Sequence, residues 1–194
     1  MIGAWLAASR LRVTNALVRA YVALFRNTPP IVQLFFFFFV IGGMLTFRTE
    51  HGTFQLSNFA WAAISLSFYY GSFNIENFRA SVEAVPDTTV QAAEALGYTR
   101  LGTYVHVVLP IALRFSLPAL GNNLVSLVKA TSLAYAIAVP EILYVSSEIW
   151  SEQLNVPEMM WTLLIFYVTT VGIMVWGLRR LERALHMPGY SLGT

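Results

Sequence analysis

The sequence predicts an all-α membrane protein with about four membrane spans. Of its 194 residues, 57% are hydrophobic and only 11% are charged, whereas an ordinary soluble domain carries about 25% charged residues. The apolar residues stand in runs long enough for helices that cross about 30 Å of hydrocarbon. We therefore expect one transmembrane domain over residues 1–194, held together by helix packing in lipid rather than by a globular core.

Composition also excludes several classes of function. A net charge of +2 is too small to indicate nucleic-acid binding. The chain has no cysteine, which excludes disulfides and thiolate metal sites. Its three histidines, His51, His106 and His186, are far apart in the sequence, so we predict no metal site. No G-x-x-x-x-G-K-[ST] loop is present, and we predict neither a catalytic residue nor a cofactor in this chain.

The first predicted span is a broken helix. Residues 1–12 form an apolar stub that is too short to cross a bilayer and lacks the cleavage site of a signal peptide. A helical pattern then covers residues 14–25, and Pro29 and Pro30 interrupt it. Such a break is tolerated in a membrane when neighbouring groups satisfy the freed carbonyls. Five phenylalanines continue the span to about Met44, and a polar external loop follows at residues 47–57.

Three further apolar stretches, residues 58–73, 113–127 and 159–178, are the other predicted spans. A polar loop at residues 86–110 separates the first two of them. Within it, Asp87 or Thr88 can cap a short helix that Ala92 and Ala93 propagate. Gly97 then ends this helix, because glycine adopts the left-handed conformation without steric cost. Thr99 or Thr103 can begin the next helix.

The basic residues give the orientation, because cytoplasmic loops are enriched in lysine and arginine. In the four-span arrangement, ten of the twelve basic residues fall on one side of the membrane. These ten are Arg10, Arg12, Arg19, Arg26, Arg79, Arg100, Arg114, Arg179, Arg180 and Arg183. Both ends of the chain and the loop at residues 86–110 are therefore expected in the cytoplasm. Lys129 falls within the membrane.

The loop carries a recognisable motif. Gln91-Ala92-Ala93, Gly97 and Val107-Val108-Leu109-Pro110 resemble the EAA loop of ABC importer permeases, with glutamine in place of the usual glutamate and Val107 in place of isoleucine. In that family the loop is the coupling helix, which docks in a groove of the cytoplasmic ATPase subunit. By this resemblance the coupling residues are those of the motif: Gln91, Ala92, Ala93, Gly97, Leu109 and Pro110.

Further motifs in the same order resemble polar amino acid permeases of this family. Residues 25–35 are similar to F-R-G-T-P-L-L-V-Q-L-F, with Asn27 at the glycine. Residues 71–79 are similar to G-A-Y-x-x-E-x-F-R, and their Glu76 and Arg79 are expected to form a structural ion pair. Residues 111–122 resemble Q-A-L-R-x-x-L-P-A-L-G-N, and residues 139–142 resemble V-P-E-L. Residues 126–133 resemble S-L-x-K-D-T-S-L, with Ala130 at the aspartate.

The resemblance implies a type I ABC importer permease whose first helix is largely missing, with residues 1–12 as its remnant. It implies a bacterial plasma membrane location among lipids and a second permease subunit, identical or different. It also implies an ATP-binding cassette subunit that binds ATP and magnesium, and a substrate-binding protein. The substrates would be polar amino acids or related compounds such as opines or ectoine-like zwitterions, and a missing anion at Ala130 weakens selection for a strictly cationic amino acid.

Polar residues on the broken helices are the candidates for the substrate path. An intramembrane lysine costs about 2.5 to 3.5 kcal/mol on insertion scales, so Lys129 must line a polar cavity, form an ion pair or snorkel. Each candidate could instead form an interhelical hydrogen bond, which contributes about 0.6 kcal/mol on average. The full set of candidates is Thr28, Gln33, Asn122, Lys129, Thr131, Ser132 and Glu141.

Two other functions remain open on the sequence. A secondary transporter or channel would work without an ATPase, although such a protein has no use for a coupling loop. A non-transporting membrane scaffold or sensor subunit is compatible with a missing first helix. A co-purifying ATPase distinguishes the first from an importer, and substrate-stimulated ATP turnover distinguishes the second.

Overall fold

The computed structural model describes residues 12–49 and 52–185, and helices make up most of these residues. The predicted remnant of a first helix, at residues 1–12, lies outside the described residues except for Arg12. The described residues belong to two compact units. The first is drawn from Met1–Val22, Phe73–Asn123 and Val175–Thr194, and the second from Ala23–Ser72 and Leu124–Met174.

The first helical region is broken at its prolines. Helix α1 spans Arg12–Arg26 and helix α2 spans Pro30–Phe35. A bend of 106° separates Thr14–Arg26 from Pro30–Met44. The phenylalanine run then passes into a π-helical segment, Phe36–Ile41, and the short helix α3, Gly42–Met44. The break lies where the sequence predicts it, because neither proline can donate the amide hydrogen bond that would continue α1.

The predicted external loop contains structure that the sequence analysis did not anticipate. Strands β1 (Phe47–Thr49) and β2 (Gly52–Phe54) pair antiparallel, with Phe47 opposite Phe54. The predicted all-α class is confirmed, and this two-stranded ribbon is a local addition to it. The segments are only three residues each, too short for the alternation of side chains that identifies a strand in a sequence.

Helix α4 spans Asn58–Glu83, so it extends ten residues beyond the end predicted for the second span. Its serines at positions 65 and 72 are fully buried. The Ser72 hydroxyl donates to the Tyr69 carbonyl at 2.6 Å, which satisfies the buried polar group within the helix. These small side chains let neighbouring helices approach closely, as is typical of packing in membranes.

The loop and third span form a nearly continuous helical run. Helix α5 spans Asp87–Ala95 and α6 spans Arg100–Thr103. A π-helical segment, Tyr104–Val108, joins α6 to α7, which spans Leu109–Ala130 and includes Pro118. A 3-10 helix, Thr131–Ile137, extends α7.

The last two helices of the described residues are α8, Ile142–Gln153, and the longer α9, Val156–Ala184. Two helices in the described residues, Arg100–Ile137 and Val156–Ala184, are long and apolar enough to cross a membrane. The bent pair Thr14–Arg26 and Pro30–Met44 adds a third if it counts as one span. Helix α4 has sufficient length at 26 residues, but its serines, asparagines and charged residues make it more polar. The count of four spans therefore stays a prediction.

Each unit has its own apolar core. In the first unit the core consists of Val85, Val108, Ile111 and Ala112, and Val90 of α5 packs against it. In the second unit the core is built from Leu34, Trp61, Ala62, Ala134, Ile137 and Val139. There the Asn58 amide donates to the Ile137 carbonyl at 2.8 Å and ties the start of α4 to the end of the 3-10 helix.

One polar bond joins two helices of the first unit. The Asn123 amide of α7 donates to the Asn74 side-chain oxygen of α4 at 2.8 Å, and both residues are half-buried. We expect Asn123→Leu to lower the melting temperature of the purified protein by a few degrees, because interhelical hydrogen bonds contribute about 0.6 kcal/mol on average. The matched control is Asn122→Leu at the neighbouring, exposed position. Equal effects of the two substitutions would contradict a specific role for the Asn74–Asn123 bond.

Candidate functional site

The predicted coupling helix begins at a proline. Pro86 is the N-cap of α5, with φ −61° and ψ 136°, and no side chain caps the helix. The expectation that Asp87 or Thr88 provides the cap is therefore wrong. Pro86 fixes the extended conformation that an N-cap needs, which places Asp87 one residue later, within the first turn. There its negative charge still interacts favourably with the helix dipole.

Gly97 ends α5 in a Schellman motif. It has φ +86°, in the left-handed region. The Tyr98 amide donates to the Ala93 carbonyl at 3.2 Å, and the Gly97 amide donates to the Glu94 carbonyl at 3.0 Å. These two bonds are the pair that defines the motif. A Cβ atom at Gly97 would meet no other atom within 4 Å, so the backbone angle rather than crowding requires glycine.

Thr99 begins the next helix. Its hydroxyl accepts a hydrogen bond from the Gly102 amide at 3.1 Å, which makes it the N-cap of α6. The π-helical segment then leads to Leu109 and Pro110, the last residues of the motif. A proline crowds the carbonyl four residues earlier, and a wider π turn is one way to relieve this contact. The motif therefore builds helix, left-handed turn, capped helix and π segment in succession.

One side of this loop is exposed. Ala93 and Thr103 are buried, whereas Leu96 is 80% exposed and Leu101 is 71% exposed. We call the exposed set the outer coupling face. It consists of Gln91, Ala92, Glu94, Ala95, Leu96, Gly97, Tyr98, Thr99, Arg100 and Leu101. Its centre combines alanines, which allow close approach, with large apolar side chains that lack cover within the described chain. Leu109 is half-buried and Pro110 is exposed beside this face.

Two of the predicted substrate-path residues lie at the helix break. Gln33 of α2 is buried, and its amide nitrogen donates to the Phe25 carbonyl at 2.8 Å and to the Thr28 carbonyl at 3.2 Å. The amide nitrogen has two hydrogens, so the bond to Thr28 is shared between its carbonyl and its hydroxyl. That hydroxyl donates to the Leu24 carbonyl at 2.9 Å. The polar groups of Thr28 and Gln33 are thus brought together and bonded across the break.

A second group surrounds a cavity of about 340 Å³ in the second unit, lined by Lys129, Ser132, Tyr167, Val168 and Val171. The Ser132 hydroxyl donates to the Lys129 carbonyl at 2.9 Å, where α7 tightens into the 3-10 helix. The Lys129 side chain is exposed, and within the described chain it forms no salt bridge. The Ser132 hydroxyl hydrogen is already used on the Lys129 carbonyl, so the Lys129 ammonium, beside a mainly apolar wall, is the group here that can pair with a carboxylate.

The remaining candidates have separate positions. Glu141 is the N-cap of α8, and its carboxylate accepts from the Leu143 amide at 3.0 Å and the Tyr144 amide at 2.8 Å. Thr131 is exposed, and its hydroxyl donates to the Val128 carbonyl. Asn122 is exposed. The structure therefore groups Thr28 with Gln33 and Lys129 with Ser132, while these three residues stand apart.

Arg79 pairs with two carboxylates on α4. It contacts Glu76 at 2.5 Å and Glu83 at 2.6 Å. The second partner was not anticipated, although its spacing of four residues is favourable on a helix. All three side chains are partly exposed, so the pairs add little stability. Their effect is to hold the end of α4 just before the loop.

Comparison with known proteins shows one family. Residues 1–187 match the family described as the binding-protein-dependent transport system inner membrane component. The chain belongs to this family. The match confirms the predicted resemblance to ABC importer permeases and makes the protein a multi-pass inner-membrane transport component. It is a transport subunit rather than an enzyme, and ATP hydrolysis lies in a separate subunit.

Individual relatives agree with this assignment. The chain is 29% identical over 174 residues to the probable amino-acid permease protein YxeN of Bacillus subtilis, covering 86% of this chain and 75% of that protein. It is 31% identical over 145 residues to the histidine/lysine/arginine/ornithine transport system permease protein HisQ of Salmonella typhimurium, covering 73% of this chain and 64% of that protein.

A solved structure confirms the permease fold. It is described as an amino acid ABC transporter with histidines, and it superimposes with a TM-score of 0.83 over 94% of this chain and 82% of that chain. The sequence identity is 22%, so this likeness shows the fold alone.

The sequence analysis missed two residues of these groups. Tyr167 of α9 lines the Lys129 cavity, and its hydroxyl interacts with the Ser132 side chain. Asn123, rather than its neighbour Asn122, bonds to α4. Tyr167 lies inside an apolar span with no local motif, so no signal in the sequence could identify it. For Asn123, the doubled asparagine was a signal, but it did not indicate which of the two faces inward.

Proposed function

We propose that this permease is the transmembrane subunit of an ATP-driven importer for polar amino acids or related compounds. The observation that carries the proposal is the outer coupling face, which exposes the large side chains of Leu96, Tyr98 and Leu101 on a loop whose Schellman motif and capped helix fix its shape. ATP-driven closure of the partner subunits would displace the segment from Thr88 to Tyr104 as a rigid lever. The attached helices would then change between inward-open and outward-open arrangements.

The proposed partners follow from this mechanism. An ATP-binding cassette subunit, which binds ATP and magnesium, would seat the outer coupling face in a groove. A second permease subunit, identical or different, would complete the pathway, and a substrate-binding protein would deliver the substrate. The excess of basic residues supports an orientation with both ends of the chain in the cytoplasm.

The proposed substrate contacts centre on Lys129 and Ser132. Their open cavity presents an ammonium group, which can pair with a carboxylate, beside an apolar wall. Ala130, which replaces the aspartate of the resembled motif, leaves this stretch without an anion, which favours zwitterions over strictly cationic amino acids. Opines and ectoine-like compounds therefore stay among the proposed substrates.

The test is recovery of the ATPase with the purified permease. We expect the double variant Leu96→Glu/Leu101→Glu to lower the amount of co-purifying ATP-binding subunit at least tenfold. The reason is that burial of each leucine contributes about 1.5 to 3 kcal/mol, and an unpaired carboxylate in the same place costs more. Detergent pull-down from the native membrane, with ATP turnover of the eluate, measures this loss.

A matched control separates docking from general damage. Leu154, in the other unit, is 84% exposed, so Leu154→Glu makes the same kind of substitution, with one added carboxylate instead of two, away from the outer coupling face. Normal recovery with Leu154→Glu and loss with the double variant support the importer. If the unaltered chain is recovered without any ATPase, the secondary transporter or scaffold reading replaces it.

A further inference from the structure

The break after α1 leaves a backbone carbonyl without the amide donor that a continuous helix would supply. In a continuous helix the residue at position 29 would donate its amide hydrogen to the carbonyl of Phe25. That residue is Pro29, which has no amide hydrogen. A backbone carbonyl that loses its helical donor needs another partner, from water or from the protein. A side chain that donates to the carbonyls at the end of α1 would fix the geometry of the break, which water would not.

The side chain of Gln33 supplies this donor. Its amide nitrogen lies 2.8 Å from the Phe25 carbonyl, the acceptor that Pro29 cannot serve. The same nitrogen lies 3.2 Å from the Thr28 carbonyl. Carbonyl oxygens only accept hydrogen bonds, so these two contacts fix which end of the Gln33 amide faces the break. Gln33 lies in the first turn of α2, after the break, so its bonds to Phe25 and Thr28 join the two helices.

Thr28 completes the connection. Its hydroxyl accepts from Gln33 and donates to the Leu24 carbonyl at 2.9 Å, so a chain of side-chain bonds runs from α2 to the last turn of α1. Gln33 is 7% exposed. Within the described chain its side-chain oxygen has no hydrogen-bond partner. The Gln33 side chain is therefore held in place by the hydrogen bonds that its nitrogen donates.

We infer that Gln33 is a positioning residue that fixes the 106° bend between α1 and α2. Through this bend it sets the direction of the helix that carries the phenylalanine run. The consequence for transport rests on the proposed function: a loose bend lets ATP turnover proceed without a matching movement of the pathway. The amount of substrate imported for each ATP hydrolysed therefore depends on the Gln33 amide.

The first experiment tests the bonds themselves, on the permease purified in its complex. Gln33→Met keeps the length of the side chain and removes the donor, and Thr28→Val removes the hydroxyl. We expect each to lower the melting temperature, and the double variant to lower it by clearly less than the sum, because both act on one network. A fully additive loss would overturn the shared network.

The second experiment tests the positioning role, in proteoliposomes that contain the whole complex with its binding protein. We expect Gln33→Met to reduce the substrate imported per ATP at least threefold. Gln33→Glu should fall between this variant and the unaltered protein, because a buried carboxyl group stays neutral and can donate one hydrogen bond. A residue with a merely structural role would change the amount of inserted protein but leave this ratio unchanged, which would overturn the inference.

The two experiments separate the inference from the function on which it rests. Absence of ATP-driven uptake by the unaltered complex would refute the proposed function. The melting-temperature cycle would still decide whether Gln33 holds the bend, because it requires no transport.

Discussion

Replacing Gly97 with valine is expected to reduce ATP-driven uptake at least tenfold while the permease still inserts into the membrane. Gly97 has φ +86°, and a residue with a Cβ atom pays about 1 to 2 kcal/mol in the left-handed region. A β-branched residue is a stronger outlier there. The exposed loop can relieve this strain by unwinding the Schellman motif. The outer coupling face would then lose its shape at its centre, between Leu96 and Tyr98.

The matched control is Gly97→Asn. Both side chains enter open space, since no atom lies within 4 Å of a Cβ at this position. Asparagine tolerates the left-handed conformation better than other residues, so we expect it to retain most of the uptake. Uptake assays on equal amounts of inserted protein make the comparison. Normal uptake by the valine variant would remove this turn from the mechanism, and equal loss in both variants would indicate a role for glycine other than its backbone angle.

Replacing Lys129 with methionine is expected to reduce uptake at least tenfold without reducing recovery of the ATPase. Methionine has a similar length but no charge, and a hydrogen bond to a charged group contributes about 1.5 to 3 kcal/mol. Such a loss corresponds to about one to two powers of ten in affinity. Lys129→Arg should retain part of the uptake, because it keeps a cation beside Ser132 and Tyr167. Transport rates in proteoliposomes, normalised to inserted protein, measure both variants.

The alternative role of Lys129 gives a different pattern. If Lys129 forms a structural ion pair in the assembled transporter, Lys129→Met would lower the amount of folded protein, and the molecules that remain would transport normally. Such a result would contradict the assignment of Lys129 to the substrate path.

Local chemistry predicts some features of this permease well. The break at Pro29 and Pro30 and the left-handed turn at Gly97 follow from the covalent structure of proline and glycine, which acts wherever the residues occur. The cap of α5 was predicted at Asp87 or Thr88, one or two residues too late, because Pro86 takes the extended conformation of the N-cap. The error concerns only the identity of the N-cap residue, and helix α5 itself lies where the sequence places it.

Features that depend on packing are not accessible in this way. Asn122 and Asn123 are chemically identical, and a rotation of about 100° along the helix decides which of them faces α4. Tyr167 and Ser132 are 35 positions apart, and only the packing of α9 against α7 brings them to one cavity. The substrate path was predicted as a set of polar residues, whereas the structure divides that set between a cavity, the helix break and three separate positions.

The π-helical segment at Tyr104–Val108 determines how the side chains of α6 are rotated about the helix axis relative to those of α7. A single π turn accommodates about one residue more than an α turn, and one residue corresponds to about 100° around a helix. Residues on the two sides of this segment therefore cannot be assigned to a common face by counting along an ideal helix. Leu101 belongs to the outer coupling face and Ile111 is buried, and the angle between their directions includes the extra rotation of the π turn. Loss of one residue from the first three of this segment, Tyr104–His106, would keep every motif side chain and turn the exposed surface away from its present direction.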